Sequence, residues 1–193
     1  MTLHQDSAGD DLPVNCALIE VRVAELKQLF NSLDPTPFLE RDLDPKAEEF
    51  IAGWARELHA DAALCLIVHV DRPAASPDET TVLRDAIREF FKQRAVVTRR
   101  RLRQLLRVGR TSLLIGLAFL AASIAIGDLV ASLMSAGRFG GIFRESLLIG
   151  GWVAMWRPLE VFLYDWWPIR AEARLFDRLS TMTVRIVPVR ANP

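Results

Sequence analysis

The sequence has little of what most chemistry requires. Two cysteines in 193 residues are too few for a disulfide framework or a zinc cluster, and three histidines leave little imidazole for a metal centre. There is no glycine-rich phosphate loop, no Gly-x-Ser-x-Gly turn and no Cys/His nucleophile spacing. The first fifteen residues are polar and acidic, lacking the basic start and apolar core of a signal peptide. The most telling absence is charge. Thr111 to Gly127 carries none, and the continuation to Gly137 adds only Asp128. A solvated helix of that length does not forgo charge, so water is not its expected surroundings.

A second apolar segment, about Ser146 to Trp167, follows closely. At about 1.5 Å per residue, each segment is long enough for a hydrocarbon layer about 30 Å thick. The expected unit is a two-helix transmembrane hairpin with a short outer turn. The net charge of zero hides a split: Met1 to Phe91 holds 18 acids against 8 Lys and Arg, and the remainder holds 16 Lys and Arg against 6 acids. Lys92, Arg94, Arg99, Arg100, Arg101, Arg103, Arg107 and Arg110 precede the first segment with no acid among them, and Arg170, Arg174 and Arg178 follow the second. Positive charge stays on the cytoplasmic side, so both termini are expected there. Cys16 and Cys65 would then be reduced thiols, with Cys65 a small core residue in its apolar run.

Hydrophobic periodicity organises the rest. Residues 1–15 read as a disordered tail. Ala17 to Val23 alternates as a half-buried strand, and Ala24 to Leu33 has helical spacing that must stop before Asp34-Pro35. Asp44-Pro45 caps a helix whose apolar stripe is Ala47, Phe50, Ile51, Trp54 and Leu58. Ala62 to Val70 is apolar enough to be a strand covered on both faces. A helix from about Pro77 is expected to run into the membrane, with a bend near Gly109. Pro168 should close the second span, Ile169 to Leu179 is a basic amphipathic helix, and Thr181 to Val189 a last strand that Pro188 makes an edge or brings to an end. The fold class expected is an α/β membrane protein: a cytoplasmic α/β domain (residues 16–110 and 168–193) into which the hairpin (111–167) is inserted. The first two strands should be parallel, joined by a helical crossover.

Intramembrane Asp128, Arg157 and Glu160 stand out, because a charge in hydrocarbon costs at least about 2.5 kcal/mol. Arg157 and Glu160 can neutralise each other at i,i+3. Small residues recur every fourth position at Ser123, Gly127, Ala131 and Ser135, and again at Ser146, Gly150, Ala154 and Pro158, a pattern for close helix packing within the hairpin or between protomers. Tyr164, Trp166 and Trp167 suit the inner headgroup layer, and Arg99, Arg100, Arg101, Arg103, Arg107, Arg110 and Arg170 suit anionic lipid. Nucleic acid is not expected, since no aromatic interleaving or groove-reading motif accompanies the arginines. The acidic residues Asp34, Glu40, Asp42, Asp44, Glu48 and Glu49 could meet a basic protein partner. With His59 and His69 downstream they have no metal-ligand spacing.

The segments LFNSLDPTPF (residues 29–38), RDLD (41–44), AEEFI (47–51), GWVAMWRPL (151–159) and LYDWWPIR (163–170) resemble a group of uncharacterised proteobacterial two-span inner-membrane proteins. The resemblance implies a bacterial inner membrane and transfers no catalytic residue. The expectation is a non-enzymatic, homo-oligomeric assembly or scaffold protein without catalytic residue, cofactor or metal. The alternative is an oligomeric channel or transport subunit using Asp128, Arg157 and Glu160.

Overall fold

The computed structural model describes residues 8–10, 13, 16–31, 41–59, 61–72, 77–133 and 138–189. The chain is mostly helical, with a small parallel sheet and two long apolar helices. It divides into two compact units: one runs to Val97 and resumes at Glu172, and the other is Thr98–Ala171.

The first unit is built on a sheet of order β1-β4-β3-β2. Strands β2 (Cys16–Val23), β3 (Ala63–Val70) and β4 (Thr183–Pro188) are parallel, and the two-residue β1 (Ala8–Gly9) adds antiparallel to β4. The alternation of β2 is realised as expected: Ile19 is buried while Leu18, Glu20 and Arg22 face outward. Helix α1 (Pro45–Glu57) makes the parallel crossover, and Asp44 caps it by accepting from the Lys46 N–H at 2.9 Å. Helix α2 (Pro77–Leu133) and α4 (Trp166–Ser180) complete the cover. Ile51 of α1, Leu83, Ile87 and Phe91 of α2, and Phe176 and Leu179 of α4 share one core with Leu66, Val68 and Val184 of the sheet. Each such side chain contributes about 1.5–3 kcal/mol of transfer free energy.

Several expectations are corrected here. The 1–15 segment is not wholly a tail, because Ala8–Gly9 pair with β4 and Asp10 accepts from both Arg84 and Arg88. The Arg84 guanidinium is held above its usual range, mainly by a hydrogen bond to Asp85, with Asp10 adding to it. Leu26–Leu29 form only a 3-10 turn, and Phe30 then bridges to Leu43. An i,i+3 apolar pair fits three residues per turn as well as 3.6, and here both leucines are buried. In α1 the core stripe is Ile51, Ala52 and Ala55, leaving Phe50 and Trp54 exposed and stacked obliquely with ring centroids 6.1 Å apart. The helices cover one sheet face. The other, bearing Leu18, Ile67, His69, Arg185 and Val187, is partly open, so β3 is not sandwiched.

Two further corrections concern the sheet margin and the thiols. Of the two readings of Pro188, the strand end holds, since β4 stops there, and the edge does not, since β4 lies between β3 and β1 and the sheet's edges are β1 and β2. Cys16 and Cys65 form a disulfide with Cα atoms 5.9 Å apart. The pairing register explains it: Cys16 lies opposite Ala63 and Cys65 opposite Leu18, so the two cysteines are diagonal neighbours on one face of adjacent strands.

Candidate functional site

The second unit carries every intramembrane residue singled out by the sequence. Helix α2 continues through it to Leu133, and α3 (Arg138–Glu160) returns antiparallel, followed without interruption by a π-helical turn (Val161–Asp165) and α4. Helix α2 runs unbroken through Gly109 and α4 through Pro168. The missing Pro168 N–H falls directly after the π-helical turn, where the i→i−4 ladder is already displaced.

Both helices are long and apolar enough to cross a membrane; the most apolar window of α2 has a mean hydropathy of 2.3 and is only 17 % buried. That exposure separates it from the core helix of a water-soluble fold, since Leu114, Ile115, Leu117 and Phe119 all point outward.

The seam between the helices is made of small residues. A methyl group added at Gly109 would lie 2.7 Å from Val161 Cγ1, at Gly116 3.0 Å from Met155 Sδ, and at Gly127 3.2 Å from Arg144 Cγ. At Gly151 it would lie 2.6 Å from Leu120 Cδ1 and 3.3 Å from the Leu120 Cα. Ser123 is buried on the same side. Pro158, also buried, removes the N–H that would serve the Ala154 carbonyl, and that carbonyl lies 3.5 Å from the added-methyl position at Gly116. Of the residues expected to pack, Ser123 and Gly127 therefore lie in the seam, whereas Gly150 and Ala154 are exposed and Gly150 meets nothing within 4 Å. The side chain of Ala131 and residues 134–137, Ser135 among them, lie outside the described set.

The same contacts fix depth. Gly109 is level with Val161, Gly116 with Met155, Leu120 with Gly151 and Gly127 with Arg144. Thr111 is then level with Glu160. Asp128 is 17 residues further along α2, roughly 25 Å away at the helical rise. The charged residues thus occupy the two ends of an apolar belt. At one end Arg144 Nε donates to Asp128 Oδ1 at 2.8 Å, joining the two helices. At the other, Arg157 donates to Glu160 at 2.9 Å and lies 3.6 Å from Asp165, and Trp156 Nε1 donates to Glu160 at 3.0 Å. By this register Arg157 lies three residues from the level of Thr111.

Arg99, Arg100, Arg101, Arg103, Arg107 and Arg110 are all exposed on α2. Tyr164 and Trp167 are exposed beside them in sequence register, while Trp166 donates to the Phe162 carbonyl at 2.8 Å and carries the Arg170 guanidinium 5.5 Å over its ring. On the outer side of α3, Ile149, Trp152, Val153 and Trp156 line a shallow groove of about 390 Å³ that ends at Arg157 and Glu160. Comparison with protein-family models, with curated proteins and with solved structures finds no match.

In the other unit, two of the described acidic residues have structural duties: Asp44 caps α1 and Glu48 pairs with Arg94. Residues 32–40, with Asp34 and Glu40, lie outside the described set. His69 is 3.5 Å from Glu20, and the His59 carbonyl accepts from Arg178 at 2.9 Å. Among the described residues no group of three or more His, Cys, Asp or Glu is placed to hold a metal ion. Sequence reasoning missed Gly109, Gly116 and Gly151 as packing residues, Arg144 as the partner of Asp128, and Asp165 as a third member of the Arg157 cluster. Only the helix register reveals the first four.

Proposed function

We propose that the protein is a non-enzymatic, homo-oligomeric membrane assembly or scaffold protein, anchored by the hairpin with both termini in the cytoplasm of a bacterial cell. The observation that carries this reading is the closure of the charged side chains into two separate clusters, Asp128–Arg144 and Arg157–Glu160–Asp165, at opposite ends of an apolar belt. A conduit needs polar groups along its length, whereas an anchor needs them only where lipid meets water. Self-association is supported by the exposed groove on α3 lined by Ile149, Trp152, Val153 and Trp156, an apolar surface suited to another helix in lipid. The exposed arginines and the Tyr164–Trp167 aromatics suit an anionic inner leaflet.

The test joins two measurements on the purified full chain. The detergent-extracted particle should have the mass of several copies, and liposomes containing it should show no protein-dependent ion or solute flux. A particle of one chain overturns the oligomeric reading. Flux that Asp128→Asn or Arg157→Leu abolishes, with assembly intact, overturns the scaffold in favour of the channel.

A further inference from the structure

An edge strand leaves a row of backbone donors and acceptors without partners, and it invites another strand unless something blocks it. Strand β2 is such an edge, eight residues long, and no other described strand pairs with its outer side. Its parity is known. The Val23 carbonyl accepts from the Asp71 N–H beside β3, so the odd-numbered residues turn their backbone groups inward to β3. Leu18, Glu20 and Arg22 turn theirs outward.

We propose that β2 pairs antiparallel with β2 of a second copy of this chain, about a two-fold axis at Val21, merging the two sheets into one. The inference rests on the homo-oligomeric reading above and narrows it to one surface. Charge selects the register. With the axis at Val21, Glu20 stands opposite the partner subunit's Arg22 and Arg22 opposite the partner subunit's Glu20, two attractive cross-strand pairs. An axis at Glu20 or at Arg22 sets like charges face to face. An axis at Ile19 sets Leu18 against the partner subunit's Glu20. On the core side, the Val21 register places Ile19 opposite Val23 of the partner subunit and Val21 opposite itself, so the buried layer continues across the junction. Glu20 and Arg22 are exposed and within reach of a neighbour. In the single chain Arg22 donates to Asp71 at 2.9 Å, which uses two of the five guanidinium N–H groups and leaves others for the partner subunit's Glu20.

The experiment measures self-association of the full chain in nanodiscs or mild detergent. Glu20→Arg or Arg22→Glu alone should weaken it by about tenfold or more, because two attractive pairs become two repulsive ones by symmetry. The double variant Glu20→Arg/Arg22→Glu should restore it, since the exchanged charges again oppose each other. Asp71→Asn, which removes only the partner of Arg22 within the chain, should leave association unchanged. Should either single variant fail to fold by circular dichroism, the double variant and Asp71→Asn decide. Multimers insensitive to the single reversals, or a double variant as weak as the single ones, overturn the β2 pairing while the oligomeric reading stands. A wild-type particle of one chain overturns both.

Discussion

In the α/β unit the fully buried side chains include many large ones, Phe91, Leu66, Ile51 and Leu179 among them, whereas at the hairpin seam the buried residues are mostly small, glycines, Ser123 and Pro158 beside Val161. The hairpin's own large residues, such as Leu114, Phe119, Trp152 and Val153, lie on its outside. Water explains the first arrangement, since apolar area gains free energy by leaving it. In lipid that gain vanishes, and helices associate through close backbone approach and a few polar contacts. A hydrophobic inventory alone therefore ranks the two units wrongly: the greasier one has the smaller buried side chains. The difference teaches that exposed leucine is a defect in one unit and the expected surface in the other.

The largest effect that separates the units should come from the Cys16–Cys65 bond. It closes a loop of 49 residues within the α/β unit, and the chain-entropy model assigns such a loop about 4 kcal/mol. Reduction should raise hydrogen exchange across β2 and β3 and lower the denaturant midpoint of that unit. Exchange in the hairpin should stay unchanged; if both units loosen together, they are one cooperative body and the comparison fails. The bond and the arginine run also make opposite demands on compartment, because cytosolic thiols are kept reduced. With the unit on the cytosolic side, cells lysed into an alkylating agent should yield both cysteines alkylated, and protein purified in air should yield neither.

A smaller effect, but a sharper contrast, comes from two neighbouring glycines. Gly151→Leu forces a side chain against the Leu120 backbone and should destabilise the hairpin by about 1–3 kcal/mol in reversible mixed-micelle unfolding. Gly150→Leu enters open space and should stay within about 0.5 kcal/mol of wild type for the hairpin itself. Equal effects at both positions would mean that the seam is misplaced.

Those glycines also show where the sequence stops speaking. Strand β2, the α1 cap at Asp44-Pro45, the parallel crossover and the two long helices are legible because each depends on residues near one another in the chain. The 3-10 turn at Leu26–Leu29 was open to a helical reading because i,i+3 spacing belongs to both geometries. Choosing Gly151 over Gly150 needs the rotation of α3 about its axis, and two adjacent glycines carry no local signal for that. Asp128–Arg144 and Cys16–Cys65 depend on the register between elements, which appears only once the partners are placed. The i,i+3 pair Arg157–Glu160 lies within one helix and could be read directly.

The smallest effect tests the depth assigned to the charges. Asp128 and Arg144 are each about half exposed, with 56 % side-chain exposure, and the proposed anchor would put them at the level where lipid gives way to water. An ion pair in that setting contributes no more than about 1 kcal/mol, since water and headgroups solvate either charge when it is left alone. Asp128→Asn should therefore lower hairpin stability by less than that amount, and added salt should shrink the difference further. A loss of about 2.5 kcal/mol or more would match an arginine stranded in hydrocarbon. The belt would then have to slide along the helices so that Arg144 lay inside it, and the Arg157 cluster would move by the same distance toward the aqueous side. Because one rigid register joins both ends, a single stability measurement at Asp128 reports on the depth of Arg157 as well.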